Sequence, residues 1–332
     1  MASSNTSIIQ WLVDTRDLWP QAAKTKDLEQ AAPRALAILT PEERAGVLKY
    51  FFVRDAKMSL ASHLLKHYVL ARTLGIPWSA TKLTRDANKK PVFLAGDDGR
   101  QPCWFNVSHQ AGLVALVAST AAASEDREEA AEADVGVDIV CVSERRDRDL
   151  RMVRDEGWDY FVDMHSDVFG RGETAYLKSR EFAAAASASV SSAVAPTTSE
   201  KVADAKLRRF YALWCLREAY VKMTGEALLA PWLGDLNFVE VRAPEPVTAE
   251  GGAFQQGADG TGQVITTHEV TFEGQRVDDA NICLRSLGPD YMLGTAVRTP
   301  KNKEVGLGWH LGAFEVVDVE TIVQFVEAEG SA

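Results

Sequence analysis

Residues 214–225, WCLREAYVKMTG, limit what this chain can fold into more than any other stretch. Leu213, Leu216, Tyr220 and Met223 recur at three- and four-residue steps, the spacing of a helix with one apolar stripe. At about 100° per residue, Glu218 and Lys222 fall on the opposite stripe, one turn apart, with Tyr211 and Cys215. Gly225 supplies a C-terminal stop. Taken alone, such a Glu–Lys pair is an ordinary solvated ion pair worth about 0.2–0.5 kcal/mol. Its company gives it weight: FNVSH (105–109) and VGVDIV (135–140) each place a polar group where the pattern expects core.

With 332 residues, 46% of them hydrophobic, the chain can bury one large core or two medium ones. Its formal net charge of −11 argues against general nucleic-acid binding, which depends on Lys and Arg neutralising phosphates. A bound polyanion would need a local basic pocket. Cys103, Cys141, Cys215 and Cys283 form no C-x-x-C pair, and Cys141 and Cys215 lie in apolar segments, which points to reduced thiols. The first twenty residues lack a basic region followed by a long apolar run, and no apolar run is long enough to span a bilayer. The expectation is a soluble, cytoplasmic monomer with no membrane or nucleic-acid partner.

Residues 8–13 read as an opening strand, and Thr40-Pro41-Glu42-Glu43 as a capped helix start. A helical pattern runs on from Val47 to Leu74 and stops at Gly75-Ile76-Pro77. It carries His63 and His67 four apart, but without the glutamate of a zinc-hydrolase helix, so they read as surface or half-buried histidines. The loop 81–91 gathers Lys82, Arg85, Lys89 and Lys90; in so acidic a chain it is the best candidate for a phosphate-holding patch. Residues 91–94, 104–107 (running into Ser108-His109-Gln110) and 113–118 read as strands. In VGVDIV, Val135, Val137 and Ile139 alternate with Gly136, Asp138 and Val140, the period of a strand, and a carboxylate there needs a partner.

The alanine- and acid-rich 121–134 reads as a linker or exposed short helix, 183–200 as a disordered insertion and 250–263 as a flexible loop. The helix bearing Glu218 is expected to emerge from 206–213. Strands at 236–241 and 269–272 and a hairpin of 281–287 with 291–297 close the chain. The fold class is α+β: two lobes, 1–134 and 135–332, each a long helix with mostly antiparallel strands.

Asp138, Glu218 and neutral oxygens around them suit Mg²⁺, which takes oxygen donors and usually shares its site with substrate phosphates. Lys222 would offset phosphoryl charge and His109 supply a donor or acid–base group. Ser108-His109 does not indicate a serine hydrolase, because neighbours on a strand face opposite ways and no G-x-S-x-G is present. Neither G-x-x-x-x-G-K-[ST] nor G-x-G-x-x-G occurs. Residue chemistry alone reaches Mg²⁺-dependent handling of a phosphate-bearing ligand.

The ordered set RDAK (54–57), KKP (89–91), FNVSHQ (105–110), VGVDIV (135–140) and WCLREAYVKMTG (214–225) closely resembles 4′-phosphopantetheinyl transferases of the large surfactin-synthetase-activating type, most of all the fungal and animal members. The resemblance implies two pseudo-twofold-related lobes with coenzyme A between them. It implies transfer of the 4′-phosphopantetheine arm to a serine of a carrier domain, with release of adenosine 3′,5′-bisphosphate. The carriers would belong to fatty-acid, polyketide or nonribosomal peptide synthases, or to aminoadipate reductase. By the same resemblance, Asp138 and Glu218 hold Mg²⁺, with Gln110 or a water as third ligand. Arg54, Arg85, Lys89, Lys90, Asn106, Ser108 and His109 line the coenzyme site, and Glu218, Lys222 and His109 carry the catalysis.

Two departures stand out. Many bacterial members have a second acid two residues after the metal aspartate, where this chain has Val140, and the usual Lys before the helix glutamate is Arg217. The rival readings are a non-catalytic coenzyme A or carrier-binding module and an unrelated Mg²⁺ phosphohydrolase. The run 227–233, with Leu228, Leu229 and Trp232, is a candidate carrier-docking surface, or Trp232 packs on the core.

Overall fold

The structure is a computed structural model that describes residues 8–96, 99–120, 132–190, 198–226, 230–246 and 261–329. The first lobe opens with β1 (Ile9–Asp14), followed by α1 (Pro41–Leu48), α2 (Val53–Leu74), β2 (Cys103–Gln110) and β3 (Leu113–Thr120). Thr40 caps α1 in a full capping box with Glu43, and Gly75 ends α2 at φ 63°, a backbone angle that glycine adopts freely. The continuous helix expected over 47–74 is broken. Tyr50, Phe51 and Phe52 lie exposed between α1 and α2, and Phe52 is extended at φ −96°, ψ 133°. Three successive aromatics, poor helix formers, account for the interruption.

The second lobe holds β4 (Asp134–Cys141), α3 (Arg180–Val190), α4 (Ser199–Thr224), β5 (Thr261–Ile265), β6 (Asn281–Leu287) and β7 (Tyr291–Arg298). Three expectations are corrected here. The tract 183–200, read as disordered, begins as α3, with Phe182 and Ala186 fully buried and Phe182 stacked on Trp158 at 5.6 Å. Alanine is the best helix former, and a few anchors suffice to dock such a helix. The helix bearing Glu218 starts at Ser199, capped by Thr198, earlier than expected. The strand read over 91–94 is reduced to Pro91–Val92. Most of the 121–134 linker and of the 250–263 loop lies outside the described residues.

The chain then returns to the first lobe through β8 (Glu315–Val316), parallel to β1, and α5 (Val319–Glu329). Val317, Val319, Ile322 and Val323 enter the first lobe's core, so the boundary drawn as 135–332 is wrong at its end. No local pattern in 309–329 announces which lobe receives it. The two four-stranded sheets run β8-β1-β3-β2 and β4-β7-β6-β5, antiparallel apart from the β1–β8 pair.

Strand alternation sorts the side chains into three cores. Val114, Leu116 and Ala118 of β3 face α2; Leu213, Leu216, Tyr220 and Met223 of α4 face the second lobe's core. Leu113, Ala115 and Val117 join Val135, Val137, Ile139 and Cys141 of β4 in a third core shared by the two sheets. The free edges β2 and β4 therefore meet at the lobe junction, with Gly136 and Asp138 turned toward α4.

Candidate active site

Helix α4 lies close enough to its sheet to place side chains directly on Asp138. A Cβ on Gly136 would sit 2.1 Å from the Ala219 carbonyl and 2.4 Å from Met223 N, and one on Gly294 2.8 Å from the Cys215 carbonyl. Only glycine permits that approach. The stripe of α4 read as opposite its core, with Cys215, Glu218 and Lys222, is therefore not a solvent face. Cys215 is fully buried against the sheet, its thiol pointing at the carbonyls of Asp138 and Met292.

Lys222 Nζ is 2.6 Å from Asp138 Oδ1 and 2.9 Å from Ser108 Oγ, and Ser108 Oγ donates to the same Oδ1 at 2.8 Å. Asp138 is 6% exposed, so a carboxylate in an apolar strand is balanced by an ammonium and a hydroxyl. Oδ2 takes no hydrogen bond from the described residues. Glu218, one turn before Lys222, is half-buried beside Asp138. Burial pushes its carboxyl up and Asp138 adds to this, against Lys222 and Arg217. Burial works against the charge on Lys222, yet Asp138 and Glu218 hold its ammonium above the ordinary lysine value.

The lobes are stitched by β2 side chains two apart. Asn106 Oδ1 accepts from Val137 N at 3.0 Å and Gln110 Oε1 from Cys141 N at 3.1 Å, with Ser108 on Asp138 between them. Side-chain acceptors thus continue a ladder that the two strand backbones do not complete. Gln110, assigned as third metal ligand, has its carbonyl oxygen on Cys141 N, and its amide donates to Glu144 at 2.7 Å. Lys90 reaches the same junction, 3.3 Å from the carbonyls of Val135 and Lys222, and burial lowers its pKa.

The remaining predicted residues stand further out. His109 is exposed at the end of β2; partial burial of its ring and Lys222 lower its pKa, with Asp55 opposing. Arg85 donates to the Lys89 carbonyl in an exposed turn, where Lys89 has φ 65°. Arg54 is exposed at the start of α2 over the Phe52 ring. The side chains of these four make no hydrogen bond to the Asp138 cluster. His63 Nδ1 and His67 Nε2 both meet Glu43 Oε1, at 3.1 and 2.9 Å. Trp232 is half-buried against Phe272, its indole N–H on Glu226, while Leu228 and Leu229 lie outside the described residues.

Sequence reasoning missed the role of Arg217. It is 2% exposed and points away from the cleft, donating to Glu173 Oε2 at 2.8 Å, to the Leu236 carbonyl at 2.7 Å and to the Val168 and Leu233 carbonyls. Glu173 also accepts from Gly170 N and Phe238 N. The neighbour of Glu218 is thus a buried hub for four chain segments. Its only sequence signal is an arginine beside the core stripe.

Among the described residues, no group of three or more His, Cys, Asp and Glu side chains forms a metal cluster. Two carboxylates and a free Oδ2 at a polar junction nevertheless make an oxygen donor set. It is too small for an all-protein cage and suited to a hard cation that keeps waters.

Paired α+β lobes with two carboxylates and a half-buried lysine at their seam make a site suited to a phosphate-bearing ligand. Residues 26–121 match the family described as 4′-phosphopantetheinyl transferase, N-terminal, and residues 134–258 the 4′-phosphopantetheinyl transferase superfamily. The chain is 44% identical over 326 residues to 4′-phosphopantetheinyl transferase 1 of Fusarium mangiferae, covering 98% of this chain and 97% of that one. It is 33% identical over 309 residues to 4′-phosphopantetheinyl transferase NpgA of Emericella nidulans, covering 90% and 84%. Over 110 residues, 33% of this chain and 32% of the relative, it is 33% identical to the L-aminoadipate-semialdehyde dehydrogenase-phosphopantetheinyl transferase of Homo sapiens. The chain belongs to the 4′-phosphopantetheinyl transferase superfamily, and it is an enzyme that places the phosphopantetheine arm of coenzyme A on carrier proteins.

Proposed function

We propose that coenzyme A binds across the lobe junction and that Asp138 and Glu218 are the residues that would hold Mg²⁺ there. The observation that carries this is the Ser108–Asp138–Lys222 triangle, which joins β2, β4 and α4 in one buried contact with Glu218 beside it. When bound, the cation would draw charge from the pyrophosphate oxygens as the phosphorus–oxygen bond breaks. Glu218, half-buried beside Asp138, takes the proton of the carrier serine, directly or through a water. The serine oxygen then attacks the β-phosphorus, and the bond to the nucleotide side breaks.

Lys222, held charged, offsets the negative charge of the leaving adenosine 3′,5′-bisphosphate. His109, pushed below the ordinary histidine value, is neutral near pH 7 and serves as a hydrogen-bond donor to the nucleotide, while Ser108 beside it spends its one O–H on Asp138 and holds that carboxylate and Lys222 in place. Arg54, Arg85, Lys89 and Lys90 form a basic rim on the first lobe for the coenzyme phosphates. Since phosphoryl transfer rests on positioning and charge stabilisation, no covalent enzyme intermediate is needed.

The carriers we propose are those of fatty-acid, polyketide and nonribosomal peptide synthases and of aminoadipate reductase. The last draws support from relatives named for L-aminoadipate-semialdehyde dehydrogenase. We further propose a cytoplasmic monomer. Turnover of apo-carrier and coenzyme A with and without Mg²⁺ is the test. Binding without turnover would leave a carrier- or coenzyme-binding module instead.

A further inference from the structure

A second polar site lies on the other face of the second sheet, away from Asp138. Arg285 on β6 pairs with Leu293, which pairs with Ile139, so its side chain shares their face, whereas Asp138 faces α4. The segment 309–314 crosses this face on its return to the first lobe. Arg285 Nη2 holds it through the Leu311 carbonyl at 2.6 Å, and Gln10 of β1 through the next carbonyl, Gly312, at 2.5 Å. Asn281 Nδ2 fixes its start, on the carbonyls of Gly306 at 3.0 Å and Trp309 at 2.8 Å. One strap is thus pinned by both lobes.

Under the strap the polar bookkeeping does not close. Arg285 is 2% exposed, yet no carboxylate lies within salt-bridge distance among the described residues. Its contacts are the Leu311 carbonyl, Cys283 Sγ at 3.4 Å and the Phe314 ring at 5.8 Å, and its Nε has no acceptor. A guanidinium carries five N–H donors, and burying it without a counter-charge is costly. The indole N–H of Trp309 also lacks an acceptor. Both side chains line one cavity of about 470 Å³, together with Thr266, Asn281, Leu307 and His310.

We propose that this cavity is a binding site for an oxyanion, the carboxylate or phosphate of a small molecule, held by the Arg285 fork and the Trp309 N–H. Such an anion supplies the missing counter-charge and fastens the strap that joins the lobes. It stands apart from the reaction, because the sheet separates it from Asp138.

The test is thermal unfolding of the full chain, with the cleft saturated by adenosine 3′,5′-bisphosphate so that its phosphate contacts are filled. Sodium phosphate or sodium acetate is added at constant ionic strength. The site predicts a saturable rise of a few degrees with one of them, and which one assigns the ligand's anionic group. Arg285→Met abolishes the rise, and Trp309→Phe, which keeps the ring and loses the N–H, reduces it at least fivefold in affinity while transfer activity without added anion is unchanged. No rise in the wild type, or an equal rise in both variants, overturns the proposal and leaves Arg285 as an anchor for Leu311. Should Arg285→Met fail to fold, Trp309→Phe decides alone: an undiminished rise refutes the site.

Discussion

Lys222 Nζ and Asp138 Oδ1 are 2.6 Å apart, and the same ammonium is 2.9 Å from Ser108 Oγ in the other lobe. The three groups come from a helix and two strands whose closest approaches are set by backbone. The site is therefore sensitive to residues that carry no chemistry.

Gly136 is the clearest of these. Its Cβ position is 2.1 Å from a helix carbonyl, so Gly136→Ala must push α4 off β4 by roughly an ångström. A misplacement of that size costs about 100-fold in kcat/KM. Steady-state kinetics on the folded variant measure it, and a change under threefold would show that helix position is not critical.

The titration of Glu218 reports on the metal site. In the metal-free protein burial raises its carboxyl above the ordinary glutamate value of about 4.3, whereas a bound Mg²⁺ would pull it down again. Carboxyl titration followed by NMR should place Glu218 above that value without Mg²⁺ and lower with it, and Glu218→Gln should retain little activity. A carboxyl that titrates at the same pH with and without Mg²⁺ would remove Glu218 from the metal site.

Arg217 makes a prediction about stability. Arg217→Met strands Glu173 in a fully buried pocket, a loss of about 3–5 kcal/mol. Urea unfolding measures it, and a loss under about 1 kcal/mol would put the pair with ordinary surface salt bridges.

Lys66, half-buried on α2, gives a second pH effect. Burial pushes it down to about 8, with Arg85 in the same direction and Glu43 opposing. Unfolded lysine titrates near 10.4, so between about pH 8 and 10.4 the unfolded chain binds more protons and this residue's contribution to stability rises with pH. Replacing it by Met should lower the change in melting temperature on going from pH 8 to pH 10, relative to the wild type. An unchanged pH slope would contradict the burial argument.

The parts of the site that were legible in advance are those written in short-range periods. Asp138 was found because a carboxylate interrupts an alternating apolar strand, and Glu218 with Lys222 because they share a helical stripe. What escaped depends on distance in sequence. Glu173 lies 44 residues from Arg217, and nothing local pairs them. The hold of Asn106 and Gln110 on β4 backbone becomes visible only once two strand edges meet. Alanine in 183–190 offers little apolar bulk, yet its helix propensity and one buried Phe182 suffice to dock it. The passage of 309–329 to the first lobe is a matter of topology, since an amphipathic helix does not name the sheet that receives it.

The central claim is that a carboxylate pair and a lysine at the lobe seam transfer phosphopantetheine to a carrier serine. Its most direct test is the intact mass of an apo-carrier domain after incubation with coenzyme A, Mg²⁺ and the enzyme. The wild type should add one phosphopantetheinyl group per carrier and release adenosine 3′,5′-bisphosphate in equal amount, and Asp138→Asn and Glu218→Gln, both folded, should add almost none. Full loading by either variant, or loading by the wild type that is unaffected by chelation of Mg²⁺, would contradict the account.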